Sequence, residues 1–296
     1  MEHPYDYDRN SVSALLYAII EQHSSSQARN WLLQRSNVLQ DTKTVQQFNL
    51  TFSAIPRFTG KEILVLPTGI INDLRETAHG FFVQDYTLDR LVRTWWLLQW
   101  PADDRERYVQ TIEGLFDAAE MNELVALYGA LPLLAWPQEW KLRTAEGIRS
   151  NIGTVLEAIM LENPYPARYL DEPAWNQLVL KAFFTEKPVH RITGLDERAN
   201  ARLAAILTDY AHERWAAGRT VDPMLWRLVA PFIDAATLPD IERVWRSGRD
   251  TDKAAAALAC HRTSYAPAKE LLRQSPSLER EIAGGALTWA RLAAQL

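Results

Sequence analysis

From Thr87 onward the chain carries apolar residues at helical spacing, broken by prolines and glycines. The spacing predicts helices over Leu88–Gln99, Asp103–Ala118 and Met121–Ala130, stopped near Pro101 and before Pro132. Thr144–Leu161 reads as one long helix closed by Asn163-Pro164-Tyr165-Pro166, since proline lacks the N–H that helix continuation needs. Another helix starts at Asp171 or Glu172, takes Pro173 in its first turn and runs to Phe184. Asp196 reads as the cap of a helix ending at Gly218, and Asp222-Pro223 opens one that reaches Ala230. Thr251–Arg262, Ala266–Gln274 and Ser277–Gln295 follow, the last interrupted at Gly284-Gly285. Upstream, Val12–Ile20 and Gln27–Arg35 read as helices, whereas Thr42–Ala54 and Ile63–Leu66 fit both helix and strand periods.

This pattern predicts an all-α protein, a single helical domain over 1–296. Helices joined by short linkers suggest stacked antiparallel hairpins, a HEAT/armadillo-like α-solenoid, although no sequence repeat of about 40–47 residues is present. Composition agrees with a folded, soluble chain: 47% hydrophobic and 23% charged residues over 296 positions. With 37 acidic against 32 basic residues, the net charge of −5 gives no nucleic-acid footprint. The acidic start lacks the basic region of a signal peptide, and no apolar run is long enough to span a bilayer. A lone cysteine, Cys260, excludes an intrachain disulfide and fits a reducing compartment, so the expected location is the cytoplasm.

Catalytic motifs are sparse. There is no phosphate-binding glycine loop, no His-Glu-x-x-His and no Gly-x-Ser-x-Gly. Asp103-Asp104 reads as an acidic first turn. Asp209 and His212 have ligand spacing but no second pair, and Cys260 beside His261 is no dyad, so neither a metal nor a cofactor is expected. Arg214 falls within the stripe of Leu203, Leu207 and Tyr210, which predicts a buried guanidinium facing a carboxylate (Glu157, Asp171 or Glu172) or an anionic ligand. Asn176 sits on a helix that is apolar almost all round, so its amide must find partners, with the carbonyls of the 163–166 turn as candidates, or recognise a ligand. The eleven tryptophans include Trp95, Trp96, Trp100, Trp136, Trp140, Trp175, Trp215, Trp226, Trp245 and Trp289. They either fill gaps between helices or line an apolar cleft for an aromatic or prenyl-like compound. The candidate binding set is Arg214, Asn176, Trp175, Trp215, Asn163 and Tyr165.

The ungapped block from Asn163 to Phe183 resembles the EboA family, as do Arg198–Leu203, Asp209–Arg219 and Pro223–Phe232. Pro56-Arg57-Phe58 and Gly60-Lys61 look like that family's N-terminal signature, and Ala145–Asn151 fits the segment before the asparagine-proline turn. The similarity spans about Phe52 to Phe232. It implies a place in a gene cluster that also encodes a UbiA-type prenyltransferase and makes or moves a secondary-metabolite precursor. No catalytic residue is implied. The expected function is a non-catalytic accessory or scaffold protein that binds a partner enzyme, such as that prenyltransferase, or a hydrophobic precursor. The alternative is an enzyme acting on a prenylated or polycyclic precursor in a Trp-lined pocket built on Arg214 and Asn176.

Overall fold

The computed structural model describes residues 3–296. It is all-α, with eighteen α-helices and four short 3-10 turns among the described residues. An isolated antiparallel bridge pairs Ile63 with Thr87, so Ile63–Leu66 is an extended segment. The chain divides into two compact units, Met1–Asp171 and Glu172–Leu296.

The first unit contains α1 (Arg9–His23), α2 (Ser26–Thr42), α3 (Val45–Thr59), α4 (Thr68–Thr77), α5 (Leu88–Leu97) and α6 (Arg105–Ala118). It continues with α7 (Met121–Gly129), α8 (Lys141–Ile148), α9 (Gly153–Met160) and α10 (Pro164–Tyr169). The helix α5 is the hub: nine of its ten residues are buried, and it packs on α1, α3 and α7. A helix enclosed on all sides must be apolar all round or pair its charges internally, and α5 does the second, pairing buried Arg93 with Asp89 at 3.0 Å. Phe48 of α3 stacks on Trp96 at a ring-centroid distance of 5.8 Å and meets Trp100 in a tilted pair at 4.9 Å. The Trp96 indole also donates to the Phe48 carbonyl at 3.0 Å.

The second unit contains α11 (Glu172–Phe184), α12 (Ala201–Ala216), α13 (Leu225–Val229) and α14 (Leu238–Trp245). Its last helices are α15 (Asp250–Arg262), α16 (Ala266–Arg273), α17 (Pro276–Ala283) and α18 (Trp289–Ala293). Here α15 is the hub. Its run Ala255–Cys260 is entirely buried, and small side chains let α13, α14, α16, α17 and α18 all approach it. Within each unit the helices thus gather on a hub, α5 in the first and α15 in the second.

Several predicted boundaries are corrected. Thr144–Leu161 is two helices, α8 and α9, parted at Arg149–Ile152, where Ser150 accepts from the Ile152 N–H at 3.1 Å. A Cβ on Gly147 would come within 2.6 Å of the Tyr128 ring, so the glycine before that break admits the ring. Asn163-Pro164-Tyr165-Pro166 opens a helix, α10, instead of closing one. The cap of α12 is Asn200, whose side chain accepts from Leu203 N–H at 2.8 Å, not Asp196. Of Thr42–Ala54, Val45–Ala54 belongs to α3 while Lys43 and Thr44 form the turn before it, and Gly218 closes α12 at φ +67° as expected.

Asp196 instead joins distant segments of the second unit. It takes two hydrogen bonds from Arg227, at 3.0 and 2.6 Å, and one from Arg262 at 2.5 Å. Partial burial alone would raise its pKa, but the two guanidiniums outweigh that and hold it below the usual carboxylate value. A depressed folded pKa stabilises above the unfolded value of about 3.9 and is lost as pH falls through the folded one. Asp196→Asn is therefore expected to lower the urea midpoint at pH 7 and to shrink the gap from wild type at pH 2.5. Equal gaps at both pH values in urea titrations would contradict this.

Candidate functional site

The predicted site residues are divided between the two units. Asn163 and Tyr165 belong to the first unit, and Trp175, Asn176, Arg214 and Trp215 to the second. The Asn163 amide is fully used within the protein: its oxygen accepts from Tyr165 N–H, and its nitrogen donates to Tyr128 and Ala158 carbonyls. Tyr165 is buried, and its hydroxyl donates to the Pro137 carbonyl at 2.6 Å. Asn176 is 2% exposed, as its helix predicted, but its partner is not the 163–166 turn. It exchanges two amide hydrogen bonds with Asn200, at 2.9 and 3.3 Å, so one buried amide holds the cap of α12 in place. Trp175 is fully buried, with the Arg198 guanidinium 5.0 Å from its ring.

Arg214 departs from expectation. It is half-buried, and its Nε donates to the Thr220 carbonyl at 2.6 Å while Nη1 reaches the Tyr210 hydroxyl at 3.5 Å. No carboxylate lies within 4.0 Å of it among the described residues. It sits in the last turn of α12, where the long stem passes the helix end and braces the following turn. Asn200 and Arg214 stand at opposite ends of α12, about 21 Å apart at 1.5 Å per residue. The pocket that the enzymatic alternative requires, with Asn176 and Arg214 converging, is therefore not formed. His212, whose spacing raised a metal site, is half exposed and meets Asp240 at 2.8 Å. Among the described residues no group of three His, Cys, Asp or Glu could hold a metal. Burial pushes the Cys260 thiol up to about 12, which leaves it unreactive.

A better-built cavity lies in the first unit, between α2 and α3. It measures about 400 Å³ and is lined by Trp31, Arg35, Gln47, Leu50, Thr51, Ser53, Ala54, Arg57 and Phe58. Trp31 and Phe58 stack at one side of it, with centroids 4.1 Å apart and planes 11° from parallel. Leu50 is 58% and Phe58 40% exposed, apolar surface that the fold leaves open to solvent. No acidic residue lines the cleft. Among the described residues neither Arg35 nor Arg57 has a carboxylate within 4.0 Å. The Trp31 indole N–H and the Arg35 Nε are buried without a hydrogen-bond partner. The Arg35 guanidinium stands 5.8 Å from the Trp31 ring.

Ser53 and Arg57 also line a second cleft of about 500 Å³, which adds Pro56, Lys61, Arg93, Ala118, Glu120, Asn122 and Glu123. The groove over α3 is thus aromatic at one end and charged at the other. Sequence reasoning missed this site. Its signal was there: Leu50, Phe58 and Arg57 lie away from the buried stripe of Phe48, Phe52 and Ile55, and Trp31 is the tryptophan that the apolar pattern of the central helices does not cover.

Among the described residues no helix is long and apolar enough to cross a membrane. Comparison with curated proteins and with solved structures finds no match. A family model described as metabolite traffic protein EboA matches residues 12–230, which contain both clefts over α3. The chain belongs to the EboA family of metabolite traffic proteins.

Proposed function

We propose that this chain is a non-catalytic accessory protein that holds an apolar organic anion in the α2–α3 cleft and hands it between pathway components. The observation that carries this reading is the acid-free cleft with an aromatic stack at one side and two guanidiniums free of carboxylate partners. An exposed aromatic and aliphatic wall gains by covering itself with a flat or polyene body. A guanidinium's planar fork suits a carboxylate, sulfonate or phosphate head. Membership in a metabolite traffic family fits a carrier better than a catalyst, and the cluster setting that the family resemblance implies makes a UbiA-type prenyltransferase the natural partner. The cytoplasm is the compartment in which this exchange is proposed.

The test is a fluorescence titration with 1-anilinonaphthalene-8-sulfonate, an aromatic anion, beside uncharged N-phenyl-1-naphthylamine. The double variant Arg35→Gln/Arg57→Gln is expected to weaken the anion at least tenfold and the neutral probe little. Leu50→Gln should weaken both. Anion binding unchanged in the double variant, or absent from the folded wild type, would overturn the reading.

A further inference from the structure

The second unit carries a separate cleft of about 310 Å³, between the end of α12 and the start of α15. Three arginines line it, Arg219, Arg243 and Arg249, against one acidic residue, Asp252. The acid is already committed. Asp252 is 7% exposed and takes two hydrogen bonds from Arg249, to Oδ2 from Nε at 2.9 Å and to Oδ1 from Nη2 at 2.6 Å. A third bond, from Arg249 Nη2 to the Val221 carbonyl at 3.2 Å, fixes this guanidinium in place. Its Nη1 has no partner among the described residues.

Arg243 is held differently. Its guanidinium lies 4.2 Å from the centroid of Trp215, which itself stacks on Trp226 at 5.8 Å. Arg219 follows Gly218 in the turn that closes α12, where its N–H bonds the Arg214 carbonyl at 2.8 Å. The bond from Arg214 to Thr220 pins the same turn. Among the described residues neither Arg219 nor Arg243 has a carboxylate within 4.0 Å. The hydroxyl of Ser247 lines the cleft beside them.

The geometry points to a binding site for a phosphate-class oxyanion, held by Arg219, Arg243 and Arg249. A single carboxylate is satisfied by one guanidinium fork, and Asp252 already fills that role for Arg249. Three guanidiniums against one carboxylate leave an excess of two positive charges, which suits a dianion with three or more acceptor oxygens. Arg249 and Arg243 are fixed in advance by Asp252 and Trp215, so less side-chain entropy is lost when the anion arrives. Arg243, Ser247, Arg249 and Asp252 lie beyond residues 12–230, so two of the three arginines come from outside the family-matched segment. It shares no residue with the α2–α3 cleft and does not depend on the function proposed for that cleft.

The experiment is isothermal titration of the full chain with inorganic phosphate, pyrophosphate and phenyl phosphate. Binding of these anions by wild type, weakened at least tenfold in Arg219→Gln/Arg243→Gln, is the expected result. Neither substitution removes an ion pair, so circular dichroism of the double variant should match wild type. Phenyl phosphate binding more tightly than phosphate would identify an organic phosphate ester as the occupant; equal binding would identify the free oxyanion. No binding by wild type, or equal binding by the double variant, would overturn the proposal. The Arg35→Gln/Arg57→Gln variant should keep wild-type phosphate affinity, which separates failure of this site from failure of the other.

Discussion

Arg93→Met is expected to destabilise the first unit by about 3–5 kcal/mol, the range for breaking a buried ion pair by removing one partner. Arg93 is 4% exposed on the hub helix α5. Its Nη1 donates to Asp89 at 3.0 Å, one turn earlier, and its Nη2 stands 3.6 Å from Glu123 of α7. Its Nε donates to the Phe52 carbonyl of α3 at 3.3 Å. That last bond has a cause in the sequence. The helical donor for Phe52 would be residue 56, which is proline, so the carbonyl loses its partner and Arg93 supplies one. Glu123 is the N3 residue of α7 and also accepts from Glu120 N–H at 3.0 Å, in a capping box. One guanidinium therefore ties three helices together. Burial lowers its pKa, and Asp89 and Glu123 act against that shift. Methionine fills the stem's volume and strands both carboxylates and the carbonyl. Adding Pro56→Ala, which restores the missing N–H, should recover about 1 kcal/mol, the net worth of one hydrogen bond. Urea unfolding measures both, and an Arg93→Met loss below 1 kcal/mol would show that the carboxylates find other partners.

The same residues explain what was legible beforehand and what was not. Helix type was clear wherever an apolar stripe met a cap and a stop, as at α5, α7, α11 and α15, because those signals are local. The break between α8 and α9 was hidden because helix-forming residues flank it, although Gly147, Ser150, Asn151 and Gly153 within seven positions are a turn-forming set. Prolines 164 and 166 were read as stops, yet proline in a first turn starts a helix as readily as it ends one. The burial of Asn176 followed from its helix alone. Its partner, Asn200, is 24 residues away, and pairing at that distance belongs to tertiary structure.

Arg214 shows the limit of wheel arithmetic. An angle on a helical wheel assumes the helix continues, and α12 ends two residues after Arg214. The side chain then leaves the stripe and finds a turn carbonyl. The cleft over α3 was illegible for a different reason. Its lining residues come from α2 and α3 together, and the packing angle that brings Trp31 against Phe58 is not written in either helix. Only the surplus could be seen: Leu50 and Phe58 are apolar residues that the core of α3 does not use.

Asn163→Leu is expected to cost about 3–5 kcal/mol, since a buried polar group left unpaired costs about 1–3 kcal/mol and three are affected, less some relaxation. Asn163 is 4% exposed and caps α10. Pro164 at N1 and Pro166 at N3 bring no N–H, so Tyr165 is the one early donor that needs an acceptor, and the Asn163 oxygen serves it at 3.0 Å. The amide nitrogen donates to Tyr128 at 3.0 Å and Ala158 at 2.9 Å, carbonyls in the last turns of α7 and α9 that have no helical donor ahead of them. The asparagine thus joins one helix start to two helix ends. Asn163→Ser keeps the cap and gives up the two carbonyl bonds, so its loss should be smaller. Asn163→Asp keeps the cap acceptor but sets a carboxylate oxygen against two carbonyls, and should cost at least as much as leucine. If Asn163 bound a ligand instead, all three variants would keep wild-type urea midpoints and differ only in what they retain. That ordering of midpoints, Ser above Leu and Leu at or above Asp, is the result to measure.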